Sequence, residues 1–82
     1  MRYVYLIESI NCPHQRYVGM TCDLRQRLKD HHSGNCEHTA KYAPWREVVA
    51  IRFQDDSRAA AFERYLKSGS GRALAKRHFH PA

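Results

Sequence analysis

The strongest constraint on the fold lies at the start of the chain, where a β pattern runs, breaks once and resumes. Residues 2–9 are rich in strand-forming side chains and alternate, with Tyr3, Tyr5 and Ile7 set against Val4 and Leu6. Asn11-Cys12-Pro13-His14 is a turn, because Pro13 has no amide proton to give to a strand ladder. Residues 15–19 then form a second short strand, antiparallel to the first. Period-two geometry puts Tyr3 and Tyr5 on one face, and the hairpin partner can bring Tyr17 onto it. The whole chain, residues 1–82, is expected to be one domain. A domain this short buries only roughly 60–65% of its unfolded surface, so its core must be simple.

Helices and one further strand follow the hairpin. Thr21 or Asp23 can cap a helix reaching about His32, with Leu24 and Leu28 as its inward stripe and Gly34 as its stop. Residues 33–44 read as a polar loop closed by Pro44. Trp45 to Phe53 reads as a third strand, with Val48, Val49, Ile51 and Phe53 supplying burial. Asp55 to Ser57 caps a second helix over about residues 58–68, where Ala59, Phe62 and Leu66 recur at helical spacing. Ser68-Gly69-Ser70-Gly71 ends it, and Arg72 to Phe79 predicts a third helix. The order β-β-α-β-α-α gives an α+β fold, a three-stranded antiparallel sheet flanked by helices. Spacing leaves the order of strands within the sheet open.

Lysine and arginine number 14 against 8 acidic residues, a net charge of +6 with histidine neutral. Such a balance favours a polyanionic partner, nucleic acid first among them. No apolar run approaches the roughly 18–20 residues of a membrane span. Glu8 interrupts the start before a signal-peptide core could develop, so a cytoplasmic protein is expected. Cys12, Cys22 and Cys36 are an odd number, in keeping with free thiols. Cys12-Pro13-His14 and Cys36-Glu37-His38 carry zinc-ligand chemistry without the usual spacing between paired ligands, which argues against zinc.

Chemistry concentrates in Tyr17-Val18-Gly19 and the helix behind it. Arg27 and His31 are one helical turn apart and project from one face. Gly19 reads as a tight turn that delivers Tyr17 to them. A phenol, a guanidinium and an imidazole in one small space suit reaction at a phosphodiester, where one group handles a nucleophile's proton and another holds an anion. The plainer reading of the same residues is a packing motif beneath a solvated basic face.

Several stretches, in order, resemble the GIY-YIG nuclease superfamily. The likeness is to its small stand-alone members, similar to the N-terminal nuclease domain of the bacterial repair enzyme excinuclease C. Tyr3-Val4-Tyr5-Leu6-Ile7 stands at the family's first motif and Tyr17-Val18-Gly19 at the second. Gly19-x-Thr21-x-x-Leu24-x-x-Arg27-Leu28-x-x-His31 resembles its strand-to-helix signature. Phe62-Glu63-x-x-Leu66-Lys67 resembles its acidic helix, and Lys67-Ser68-Gly69-Ser70-Gly71-Arg72 an ending common among stand-alone members.

The resemblance implies hydrolysis of DNA phosphodiester bonds with a divalent metal, Mg²⁺ or Mn²⁺, as cofactor. It implies Tyr17 as general base for the attacking water, Tyr5 orienting water or phosphate, and Arg27 contacting phosphate oxygens. His31 would assist proton transfer or bind phosphate, His38 would be a further active-site histidine, and Glu63 the single metal-binding carboxylate. A phenol with an ordinary pKa near ~10 needs positive charge beside it to act as a base near neutrality. Arg16, Arg25, Lys29, Lys41, Arg64, Lys67, Arg72, Lys76 and Arg77 are the candidates for sequence-independent contact with the DNA backbone. Single-stranded or structured DNA is expected rather than a long recognition site. Two departures, Tyr3 in place of the family's glycine and Met20 where some members carry a lysine, support an alternative: a catalytically weak nucleic-acid-binding module with the same fold. His32, His78 and His80 read as surface residues, Trp45 and Phe62 as core.

Overall fold

The computed structural model describes residues 1–80. Its elements are β1 (Arg2–Ser9), β2 (Arg16–Thr21), α1 (Leu24–Ser33), β3 (Trp45–Phe53), α2 (Asp56–Lys67) and α3 (Gly69–His78), with a 3₁₀ turn at Ala40–Tyr42. The expected order and the antiparallel sheet are both present. The strand order is β2-β1-β3, so β1 is central and is covered on both faces. That placement explains why every residue from Val4 to Ser9 is buried.

Tyr5 pairs with Gly19 on one side and Ala50 on the other, while Ile7 pairs with Tyr17. The β1–β3 register shifts between Leu6 and Ile7, where Val48 is the extra residue of a bulge. Alternation divides the interior. Val4 and Leu6 face α2 and α3, packing with Ala59, Leu66 and Ala75. Tyr5, Ile7 and Trp45 face α1 and the 3₁₀ turn, packing with Leu24, Leu28 and Tyr42.

Helix ends follow their capping groups. Asp23 caps α1 by accepting from the Gln26 amide, and Gly34 ends it at φ 79°, a left-handed conformation that favours glycine. Asp55 caps α2 through the Ser57 amide, starting that helix two residues before the expected position. α3 begins at Gly69 rather than Arg72, because the Ser68 hydroxyl accepts from the Gly71 amide and turns the glycine-rich stretch into a first helical turn. Gly71 also passes so close to the Tyr65 carbonyl that no side chain would fit. β2 continues to Thr21, so Gly19 lies within a strand and not in a turn.

Candidate active site

Gly19 is required by its neighbour across the ladder. The Tyr5 ring lies over it so closely that a Cβ there would collide with the ring and hydroxyl. Tyr5 is fully buried, and its hydroxyl is 2.8 Å from His31 Nε2. His31 comes from the last turn of α1 and is only 1% exposed, with its Nδ1 2.6 Å from the Thr39 hydroxyl. The Thr39 carbonyl in turn accepts from the Trp45 indole N–H at 2.8 Å. Tyr17 reaches this cluster from β2. Its ring centroid stands 5.3 Å from that of His31 and 6.4 Å from that of Tyr5, both tilted.

Burial, with some help from Tyr17, pushes the Tyr5 pKa up to about 12, although Arg27 opposes the shift through charge and hydrogen bonding. The phenol is therefore protonated near neutrality. The protonated Tyr5 hydroxyl lies within hydrogen-bond reach of His31 Nε2, and we assign its proton to that bond, leaving Nδ1–H to donate to Thr39. Burial first, and the Arg27 charge second, hold His31 below its ordinary value and keep it neutral. Both ring nitrogens are engaged, so neither is free for an external anion. Arg27 is exposed on α1 above these groups.

Structure thus brings Tyr5, Tyr17, Arg27 and His31 together. His38 is different: it is exposed in the loop, and no hydrogen bond ties it to the cluster among the described residues. Its neighbour Thr39 takes the inward place. Sequence reading missed Thr39, whose only signal was a small hydroxyl in a polar loop.

Glu63 lies on α2, on the far side of the sheet from α1. Phe62 turns toward Phe53 of β3, with ring centroids 5.4 Å apart, and the exposed Tyr65 lies 6.2 Å from Phe62. Glu63 and Lys67 occupy the other flank of the helix, and Lys67 lines a cleft together with Tyr17 of β2. The Glu63 carboxylate is 20% exposed and pairs with Lys67 at 3.5 Å. Among the described residues, no three His, Cys, Asp or Glu side chains gather into a metal cage, and this includes the Cys12, His14, Cys36 and His38 set. One accessible carboxylate completed by waters and a substrate phosphate suits a hard dication such as Mg²⁺ or Mn²⁺. It does not suit zinc, which takes three or four protein ligands.

The nine basic candidates are all exposed but scattered. Arg16, Lys67, Arg72 and Lys76 line the cleft beside β2, and Arg25 and Lys29 line a smaller hollow between α1 and β3. Lys41 stacks over the Tyr42 ring at 5.5 Å. Arg64 and Arg77 border neither hollow.

One buried polar cluster was not foreseen. Glu8 is 2% exposed and sits across the ladder from Arg16 and from Arg46, whose Nε donates to it at 2.7 Å. Burial pushes the Glu8 carboxyl up, but hydrogen bonding and charge from Arg46, aided by His80, leave it below its usual range. His80 is not a surface residue: it is buried, with Nδ1 3.4 Å from Glu8 and without a hydrogen bond. Cross-strand register makes this cluster, which is why composition could not reveal it.

Within this α+β domain a phenol, an imidazole and a guanidinium are gathered beside the edge strand. Residues 1–77 match the GIY-YIG catalytic domain, and the chain belongs to that family. It is also similar to a structure solved by solution NMR, the UPF0213 protein BH0048 from Bacillus halodurans. The two are 29% identical, with 99% of this chain and 89% of that one covered and a TM-score of 0.59. No curated protein matches it. None of the helices among the described residues is long and apolar enough to cross a membrane.

Proposed function

We propose that the protein is a metal-dependent DNA endonuclease, acting on single-stranded or structured DNA. The observation that carries this reading is the packing of Tyr17 against a locked Tyr5–His31 pair beneath Arg27. In this scheme the Tyr17 phenolate accepts the proton of the attacking water, Arg27 holds two oxygens of the scissile phosphate, and the departing DNA oxygen takes its proton from solvent. Tyr5 and His31 act as positioning residues. Tyr5 keeps its proton at neutral pH, so it is no base, and His31 has no free nitrogen with which to reach phosphate. Their contribution is to fix the Tyr17 ring against a rigid wall. Thr39 sets the His31 ring and so belongs to the same support. Glu63 is the residue to hold a divalent ion, which when bound offsets charge on the phosphate as a Lewis acid. His38 has no part in the chemistry in this reading.

The test uses labelled single-stranded, duplex and branched DNA with Mg²⁺, with Mn²⁺ and with chelator. Cleavage is expected with metal only, and Tyr17→Phe and Glu63→Ala should each lower its rate by about 10²–10⁴-fold. Full activity in both variants overturns the assignment. Binding without cleavage under every metal would favour the module that keeps the fold without catalysis, a reading that Met20 supports.

A further inference from the structure

Behind the edge strand β2 lies a cleft of about 550 Å³, bounded on its other side by α2 and α3. Its floor is aliphatic: half-buried Val18 meets the cleft directly, with the buried Leu6, Leu66 and Ala75 at its base. Arg16, Lys67, Arg72 and Lys76 line the cleft with no aspartate or glutamate among the described lining residues, although Arg16 pairs with Glu8 and Lys67 with Glu63. Arg72 and Lys76 have no ion-pair partner among the described residues, so their charge is available to a ligand. Tyr17 forms part of the same wall, while its ring packs with His31 on the opposite face of the sheet. The candidate active site and the cleft are therefore joined around the exposed edge of β2.

An apolar floor among cationic side chains suits a ligand with a flat, poorly hydrated body and an anionic tail. A nucleotide has that form, and cavities of roughly 300–1,000 Å³ are of the size that encloses small organic groups. A base held in a duplex cannot present its face to such a floor, whereas an unstacked one can. We infer that this cleft receives one unpaired nucleotide of the bound DNA strand, its base on Leu6, Val18, Leu66 and Ala75 and its phosphate on Arg72 and Lys76. The inference rests on the nuclease reading for its place next to the scissile bond. It gives that reading a substrate class: DNA with an unpaired nucleotide near the cut.

The experiment uses the full chain in chelator, so that nothing is cleaved. Affinity is measured for a paired duplex, for the same duplex with a one-nucleotide bulge, and for that bulge made abasic. In parallel, methyl NMR spectra follow titration with a deoxynucleoside monophosphate and with deoxyribose 5-phosphate. The bulged duplex should bind about tenfold more tightly than the paired one, and the abasic version should lose the gain. Methyl signals of Leu6, Val18, Leu66 and Ala75 should move with the nucleotide, while Leu24 and Leu28 on the other face stay still. Equal affinity for all three duplexes overturns the inference, as do floor methyls that do not move or that respond equally to the sugar phosphate. A preference for the mononucleotide alone, with none for bulged DNA, also overturns it. Cleavage assays with metal separate the two readings. Cutting with no bulge preference removes the cleft proposal and leaves the nuclease, whereas floor methyls that move with no cutting do the reverse.

Discussion

On the α2/α3 face of the sheet, Val4 and Leu6 meet Ala59, Leu66 and Ala75, and cohesion comes from aliphatic contact. On the α1 face, Tyr5 and Trp45 occupy the equivalent depth but are joined to His31 and Thr39 by hydrogen bonds. The same central strand supplies both sets of side chains. An aliphatic surface tolerates small sliding, because dispersion has no preferred direction. A chain of hydrogen bonds in low dielectric does not, since every displaced donor or acceptor is left unsatisfied. The chemistry proposed for this protein sits against the second kind of surface, where a phenol can be held to a fixed position.

Removing matter from each face tests that contrast. Leu66→Ala should have the larger effect, lowering unfolding free energy by about 2–5 kcal/mol in urea titrations, because it opens a cavity at a site only 2% exposed. Thr39→Val keeps the volume but strips the partner from His31 Nδ1, and should lower it by about 1–3 kcal/mol. The sharper difference lies in function. Thr39→Val should reduce cleavage by more than its stability loss accounts for, whereas Val4→Ala, on the aliphatic face but outside the cleft, should leave the rate per folded molecule unchanged. If both substitutions affected the rate equally, the distinction between the faces would be gone.

The smallest expected effect is on pH dependence. His31 on one face and His80 on the other are both held below their ordinary value of 6.5, chiefly by burial. The unfolded chain therefore takes up protons that the native state refuses as the pH falls below about 6.5. Stability is complete above that value and declines as the pH drops through the native pKa of each histidine. Below the usual carboxylate range, protonation of Glu8 removes more, since its native pKa is also depressed. Melting temperature should thus fall modestly from pH 7 to pH 5, and His31→Gln and His80→Gln should each remove part of that slope. A flat profile in the parent protein would show that neither histidine is buried in its neutral form.

The elements with periodic apolar spacing were legible in the sequence. Leu24 and Leu28, or Ala59, Phe62 and Leu66, reveal a helix without reference to anything distant. The convergence of Tyr5, Tyr17, Arg27 and His31 was legible through the family motif, since the hairpin and α1 together set all four positions. Gly19 was legible as necessary but not for its reason, which is a ring lying over it from the next strand. Glu8 and His80 were opaque. Glu8 looks like the polar end of a strand until its register against Arg16 and Arg46 is known, and His80 is buried by tertiary packing that no local pattern encodes. The start of α3 was misplaced because glycines usually end helices, and here a serine cap outweighed that preference.

Thr39 has a further consequence. Through two different atoms, a segment of irregular chain braces the imidazole of His31 and the indole of Trp45 at once. Transplanting this reaction centre into another scaffold would accordingly require carrying the connector over with the hairpin and first helix, because a shorter or smoother linker would leave the phenol without its strut.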